Sequence, residues 1–358
     1  MRKILAILGA ITLLALLAGL GYWIYQSRSA VDLPDDFVYQ RQHPEVIKAV
    51  LDPGTRDLTI LLTDEVDNIQ ALGANTVYVY VDYSYQDGQF LYTQLGGAET
   101  DQAGIEQEHI QNIQLAKQQG FAVHLTLAFG GGQNTSFGVP LEKLLADIGA
   151  ADLKWAAIGE QYQVETYAPS SEIDFQIFRE YYGADWNNRA DFAKAVQISN
   201  EYHDDVLPKV REVFSGKVIY QAGLWSSESG SKGYDIFGIG VNSVGREVSN
   251  FRELVVEIFG FAQINAKRQG GDWMVTELWI PVYERSPSGP GRGPALKTSS
   301  GVLYPEIQDD LYRIVFEEYQ KITGQKPVGL GFTAYLGSTS GVKNTPAEAV
   351  IADFFNSQ

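Results

Sequence analysis

The chain has 358 residues, 45% of them apolar and 20% charged, with a net charge of −17 and no cysteine. The acidic balance argues against nucleic acid or anionic lipid as the main partner, because both require a basic surface. The lack of cysteine excludes disulfides, zinc–thiolate sites and cysteine nucleophiles. The composition is that of an ordinary globular protein.

The N-terminal segment is predicted to be a membrane anchor or a signal peptide. An uncharged run from Ile4 to Tyr25 follows two basic residues, and as a helix it would span about 33 Å, enough for a bilayer core. The segment Ser27-Arg28-Ser29-Ala30 also permits cleavage, so both fates stay open. The leading basic residues favour export of the body. We therefore divide the chain into residues 1–30, the anchor or signal, and residues 31–358, one folded domain.

Beyond the linker, strand-like and helix-like segments alternate. The first strand is the least defined, with Asp36–Arg41 as the candidate and Leu58–Leu62 as the alternative. The other predicted strands cover residues 75–82, 121–129, 164–168, 217–222, 234–241, 273–279 and 327–335. The predicted helices cover residues 63–72, 105–119, 140–163, 174–213, 251–268, 306–323 and 346–355. This alternation predicts an α/β fold, a (β/α)8 barrel. An open doubly wound sheet is the alternative, but the early Gly-rich phosphate turn typical of it is absent from the sequence.

Two glutamates stand at the carboxyl ends of predicted strands. Glu172 follows strand four, and Glu277 lies in strand seven. Barrel enzymes keep their chemistry at this end of the strands, and strands four and seven lie on opposite sides of a barrel. A single acid there can also be a first-turn helix residue or a solvated charge. For Glu277 that reading is weaker, because an acid among apolar neighbours is costly without a purpose. The pair predicts carboxylate chemistry of the kind that cleaves glycosidic bonds.

These segments resemble the clan A glycoside hydrolases. Val164–Glu172 (VETYAPSSE) is similar to the strand-four motif of that clan, in which an aromatic–Ala–Pro stretch precedes Asn-Glu. Met274–Glu277 (MVTE) is similar to its strand-seven ending, and Leu72–Val77 to the segment leading into strand two. The resemblance spans residues 36 to 356. It implies a retaining hydrolase of a β-linked glycan outside the cytoplasm, with Glu172 as general acid/base, Glu277 as nucleophile and no cofactor.

The sequence departs from the clan pattern at three places. Ser171 stands where the clan has an Asn that hydrogen-bonds the sugar 2-hydroxyl. Val241–Ser243 stands where relatives often place a Tyr near the nucleophile, and Tyr335 stands where many have a Trp. Tyr283 or Tyr335 could substitute for the missing Tyr. Ser171 keeps a second hypothesis open, a catalytically inactive barrel that binds glycan of the cell envelope or outside the cell.

Aromatic and polar residues at the strand ends complete the predicted site. Aromatic faces stack on the C–H faces of sugars, although core packing is the alternative for any one of them. The predicted substrate contacts are Ser171, Trp225, Trp279, Tyr83, Asp82 and Tyr335. The four histidines show no metal-ligand spacing, and the glycines at 130–132 lack the Gly-Lys-Ser/Thr of a phosphate loop, so no metal site is predicted.

Overall fold

The computed structural model describes ten stretches of the chain. They are residues 37–52, 55–94, 97–98, 101–129, 137–243, 248–280, 296–298, 301–303, 305–336 and 341–358. The predicted anchor or signal lies outside these stretches. Within them, none of the helices combines the length and the apolar character that crossing a bilayer requires. Residues 39–358 form one compact unit.

Most barrel strands are followed by a helix, as expected, although none lies between Lys217–Ala222 and Ile236–Asn242, a stretch that the structure describes in full. The strands are β1 (Ile47–Leu51), β2 (Thr76–Gln86), β3 (Gln89–Gln94), β4 (Gly97–Ala98), β5 (Ala122–Phe129), β6 (Thr166–Ala168), β7 (Lys217–Ala222), β8 (Ile236–Asn242), β9 (Asp272–Trp279), β10 (Leu296–Thr298), β11 (Gly301–Leu303) and β12 (Gly329–Thr333). The helices are α1 (Thr55–Thr63), α2 (Val66–Ala71), α3 (Gln102–Gln118), α4 (Leu141–Gln161), α5 (Ile173–Tyr182), α6 (Arg189–Val213), α7 (Val248–Gln269), α8 (Pro305–Lys321) and α9 (Pro346–Ser357).

Eight of the strands close into a parallel barrel. The ring runs β1, β2, β5, β6, β7, β8, β9 and β12, and β12 pairs with β1 to complete it. The predicted (β/α)8 barrel is therefore confirmed. The hairpin of β2 with β3, which extends β2 beyond the ring as an antiparallel pair, was not predicted.

Both segments predicted as the first strand, the candidate and the alternative, were wrong. The strand is Ile47–Leu51, whereas residues 37–41 have no regular secondary structure and Leu58–Leu62 belong to α1. The true strand is a five-residue, almost fully buried run. It therefore lacks the polar alternation that marks a half-exposed strand.

The barrel interior is packed with apolar side chains that come from most of the strands. This cluster consists of Ile47, Ala49, Leu51, Tyr78, Ala168, Ile219, Ile236 and Met274. Gly331 leaves the space that Tyr78 fills, because a Cβ there would lie 2.8 Å from the tyrosine hydroxyl oxygen. The barrel is thus a filled core, and polar side chains collect beyond it at the carboxyl ends of the strands.

Candidate active site

The loop after β6 carries Glu172 in a constrained backbone conformation. Ser170 and Glu172 both have left-handed φ values, 46° and 56°, which are uncommon for residues other than glycine. Asp152 on α4 holds the loop, because its carboxylate accepts hydrogen bonds from the Ser170 amide at 2.9 Å and from the Ser170 hydroxyl. The Tyr202 hydroxyl donates to the same carboxylate at 2.5 Å. Such strained residues persist where surrounding structure fixes them, and they concentrate at functional sites.

A second buried acid ties this loop to the next one. Asp174, in the first turn of α5, accepts hydrogen bonds from the backbone amides of Gly223 at 2.9 Å and Leu224 at 3.0 Å. Burial raises the pKa of Asp174 to about 6, although these hydrogen bonds act to lower it. A side chain at position 223 has no space, since a Cβ there would lie 2.8 Å from the Glu172 Cβ. The loops after β6 and β7 are therefore fixed against each other.

A β-bulge places Glu277 at the barrel mouth. Val275 of β9 pairs with Ile239 of β8. The next residue of β8, Gly240, pairs with Glu277, so Thr276 is skipped in the pairing. Bulges re-aim side chains and are frequent beside active sites. The Glu277 carboxylate accepts a hydrogen bond from the Gln221 side-chain amide at 3.0 Å.

The two glutamates converge beside Gly240 of β8. A Cβ built on this glycine would lie 3.6 Å from the Glu172 Oε1 and 4.0 Å from the Glu277 Cβ. Both acids thus border the same point, although 105 residues separate them in the sequence. A Cβ at position 240 would lie in van der Waals contact with both acids.

The surroundings of the two carboxyls differ in a way that suits two roles. Burial, and then the charges of Glu277 and Asp174, hold the pKa of Glu172 well above its usual range. Burial also raises the pKa of Glu277, but the hydrogen bond from Gln221 opposes this shift. Of the two acids, Glu172 therefore holds a proton more readily and Glu277 ionises more readily, which is the order that an acid and a nucleophile require.

Tyr80 belongs to this site and was not predicted. Burial raises its pKa well above the usual range, and the charges of Glu277, Asp82 and Glu172 raise it further, so its hydroxyl stays neutral near both acids. The sequence Thr-Val-Tyr-Val-Tyr-Val-Asp of β2 could have predicted the position of Tyr80. Its polar residues alternate with valines and therefore share the inner face with Asp82.

Three other predicted contacts lie close to the glutamates. Ser171 is 2% exposed, and its hydroxyl has no hydrogen-bonding partner among the described residues. The Trp225 indole donates a hydrogen bond to the Gly240 carbonyl at 3.2 Å. Trp279, two residues after Glu277, is 38% exposed. The two tryptophans thus offer aromatic surface near the mouth.

Two predicted contacts lie elsewhere. Tyr83 lies on the face of β2 opposite to the inner face. Its ring stacks on Phe90 with centroids 4.6 Å apart, and its hydroxyl accepts a hydrogen bond from Trp155 at 2.8 Å. Tyr335 is fully buried, and its hydroxyl donates to Glu348 of α9 at 2.7 Å. Both tyrosines are used in packing, and Tyr283 lies outside the described residues. Among the residues with described positions, no group of three acids or histidines could hold a metal ion.

Comparison with known proteins supports the fold. No protein-family model and no curated protein matches the sequence. A GH113 β-1,4-mannanase superposes with a TM-score of 0.59 at 15% identity, covering 88% of this chain and all of the other. The GH113 β-mannanase of Alicyclobacillus acidocaldarius gives 0.56 at 14%, over 90% of this chain and 98% of that one. The endo-β-1,4-mannanase of Thermotoga petrophila gives 0.56 at 10%, over 88% and 77%. The resemblance to glycoside hydrolases built on a (β/α)8 barrel is thus confirmed at the level of the fold.

Proposed function

We propose that this protein is a retaining glycoside hydrolase that cleaves a β-linked poly- or oligosaccharide. The observation that carries the proposal is the convergence of Glu172 and Glu277 at Gly240, from barrel strands four and seven. The different hydrogen bonding and charge around the two carboxyls, and the likeness in fold to glycoside hydrolases, support it.

In the first step the two acids act together. A Glu277 oxygen attacks the anomeric carbon while the bond from that carbon to the leaving oxygen breaks, and Glu172 gives its proton to the leaving oxygen. The result is a glycosyl ester on Glu277, with Glu172 ionised. The raised pKa of Glu172 favours the protonated form that this step needs, and the Gln221 amide stabilises the ionised nucleophile.

In the second step Glu172 changes role. Its carboxylate takes a proton from a water molecule, which attacks the anomeric carbon and releases Glu277. Once the ester neutralises Glu277, the repulsion that raised the Glu172 pKa is weaker, so Glu172 can remain ionised as the base. Two inversions give net retention at the anomeric carbon.

A β-1,4-mannan is the first substrate to test, because the three similar structures are named as β-mannanases. The aromatic surface of Trp225 and Trp279 suits a sugar chain. The sequence run Ile4–Tyr25 is the support for a barrel held or released outside the cytoplasm.

The test compares the wild-type protein with Glu277→Ala on aryl β-glycosides and on β-linked polysaccharides that include mannan. We expect the variant to lose at least about a thousandfold in activity. Azide should restore turnover in the variant and give a glycosyl azide of inverted configuration, because azide replaces the missing nucleophile. A wild-type product of inverted configuration would contradict the retaining mechanism.

Ser171 favours one second candidate, a barrel that binds glycan without cleaving it. The hydroxyl of this serine stands in place of the clan's Asn and has no partner among the described residues. Glycan binding by both wild type and Glu277→Ala, with cleavage by neither, would establish the binding function instead.

A further inference from the structure

Gln221 touches both members of the glutamate pair. Its backbone carbonyl accepts a hydrogen bond from the Glu172 amide at 3.0 Å, and its side-chain Nε2 donates to Glu277 Oε1 at 3.0 Å. The residue lies on β7, on the inner face with Ile219, and is 1% exposed. One residue therefore fixes the backbone of one glutamate and the carboxylate of the other.

The second polar atom of the Gln221 amide is unused. Its Oε1 is buried and has no hydrogen-bonding partner among the described residues. Because the amide is planar, the bond to Glu277 also fixes the direction of Oε1. A buried acceptor without a donor is costly, and such groups in native proteins call for an explanation. A hydroxyl group of a bound ligand would satisfy it.

The geometry of the reaction identifies that hydroxyl. Glu277 must reach the anomeric carbon, and Oε1 of Gln221 lies on the amide that binds Glu277. The hydroxyl next to the anomeric carbon is the one on C2 of the sugar. The residue before the acid/base is Ser171, which is too short to take over an Asn contact without a change in position.

We propose, on the basis of the proposed function, that Gln221 positions the nucleophile and that its amide oxygen accepts a hydrogen bond from the sugar C2 hydroxyl. Gln221 is then both a positioning residue and a determinant of specificity at C2. Gln221 on β7 then supplies the C2 contact that an Asn before the acid/base would otherwise provide.

The first test is the pH profile of Gln221→Met, which has similar length but no amide. Loss of the donor removes a hydrogen bond to the ionised form of Glu277, so the pKa of Glu277 should rise. The acidic limb of kcat/KM should move to higher pH, and kcat/KM at the optimum should fall about 10- to 100-fold.

A matched control is Gln269→Met on α7. Gln269 is also buried, donates its Nε2 to the Tyr234 carbonyl at 3.1 Å and has an Oε1 without a partner among the described residues. It lies away from the glutamates, so this change should lower Tm and leave the pH profile as in wild type. The control separates loss of a buried amide from loss of this amide.

The second test removes the C2 hydroxyl from the substrate. Wild type and Gln221→Met are compared on the best aryl β-glycoside and on its 2-deoxy analogue. The rate ratio between the two substrates should fall about tenfold in the variant, because the acceptor is gone. Gln221→Glu keeps an acceptor oxygen and should retain more of the wild-type ratio.

The outcomes separate this inference from the function on which it rests. A wild-type protein inactive on every glycan would overturn both. An active wild type, with Gln221→Met showing the wild-type pH profile and substrate ratio, would overturn the inference alone. A carbon-13 NMR titration of Glu277 needs no turnover, and an unchanged pKa in Gln221→Met would also overturn the positioning role.

Discussion

Glu165 and Glu172 flank the same strand, β6, and have opposite environments. Glu165, at the amino end, is 6% exposed and accepts hydrogen bonds from Lys117 Nζ at 2.5 Å and the Val123 amide at 2.7 Å. Glu172, at the carboxyl end, faces Glu277, whose charge raises the Glu172 pKa. The first acid is bound by donors that belong to the fold, and it supports the fold. The second is held against a like charge, which favours its protonated form and suits it to proton transfer.

The largest expected effect is that of Glu277→Gln. Activity on any glycan should fall at least about a thousandfold, because the amide cannot form the glycosyl ester. Tm should stay the same or rise, since the change removes a charge that opposes Glu172. Steady-state kinetics and a thermal melt measure the two quantities. More than a tenth of the wild-type activity, after purification to homogeneity, would contradict the role of Glu277.

The control at the other end of the barrel is Glu165→Gln. We expect the reverse pattern, a lower Tm with unchanged kcat/KM per folded molecule, because Glu165 is bound by donors that all belong to the fold. A loss of activity without a loss of Tm would contradict the structural role of Glu165, and with it the contrast to Glu172.

The second prediction concerns Glu172→Gln and pH. Glu172 must be protonated, so wild-type activity falls as pH rises through its raised pKa. Glu277 must be ionised, so activity falls as pH drops through its own pKa. The variant should lose the basic limb and keep the acidic limb. Its rate should fall about a hundredfold or more on polysaccharide, and much less on aryl glycosides whose leaving groups need no proton.

A basic limb that persists in Glu172→Gln, or an equal loss on both kinds of substrate, would assign the proton donor to another group. Tyr80 is the neighbour to test next, because its hydroxyl lies in the field of both glutamates.

The third prediction breaks the ion pair at the amino end of β6. Lys117→Met should lower the free energy of unfolding by about 3 kcal/mol, because it leaves the Glu165 charge buried without its cation. The activity of the folded protein should not change. Urea denaturation measures the loss, and the double variant Lys117→Met/Glu165→Gln should recover part of it. A loss below about 0.5 kcal/mol would mean that the pair behaves as an exposed one.

Most of the barrel could be predicted from periodicity and from turn residues. Seven of the eight barrel strands lie where the apolar segments predict them, because turn residues or amphipathic helices separate these segments along the chain. The first strand escaped prediction because Ile47–Leu51 is short and buried on both sides. The β2–β3 hairpin escaped because Tyr83, Phe90 and Tyr92 pack on one another, and that cluster is visible only in three dimensions.

The site was harder to predict than the fold. The strand positions of Glu172 and Glu277 could be predicted, but the bulge that turns Glu277 to the mouth depends on pairing across β8 and β9. Tyr83 was placed in the site because it follows the expected end of strand two, yet β2 continues to Gln86, and Tyr83 points to the opposite face. Nothing in the local sequence distinguishes Gln221, because its role depends on contacts with residues that are distant in sequence.

The smallest expected effect tests how closely the loops of the carboxyl end must fit. Gly223→Ala would place a Cβ 2.8 Å from the Cβ atoms of both Glu172 and Phe175, so the acid/base must shift. We expect kcat/KM to fall about tenfold, since small misplacements of catalytic groups are costly. The loss should be greater on polysaccharide than on aryl glycosides, as for Glu172→Gln.

Gly260→Ala on α7 is the matched control. A Cβ at Gly260 would have no atom within 4 Å, and alanine is the better helix former, so Tm should rise slightly while kcat/KM stays constant. If kcat/KM also stayed constant in Gly223→Ala, the loop would be able to accommodate the added methyl group. The position of Glu172 would then depend on Asp152 and on its own hydrogen bond to Gln221, rather than on close packing against the loop after β7.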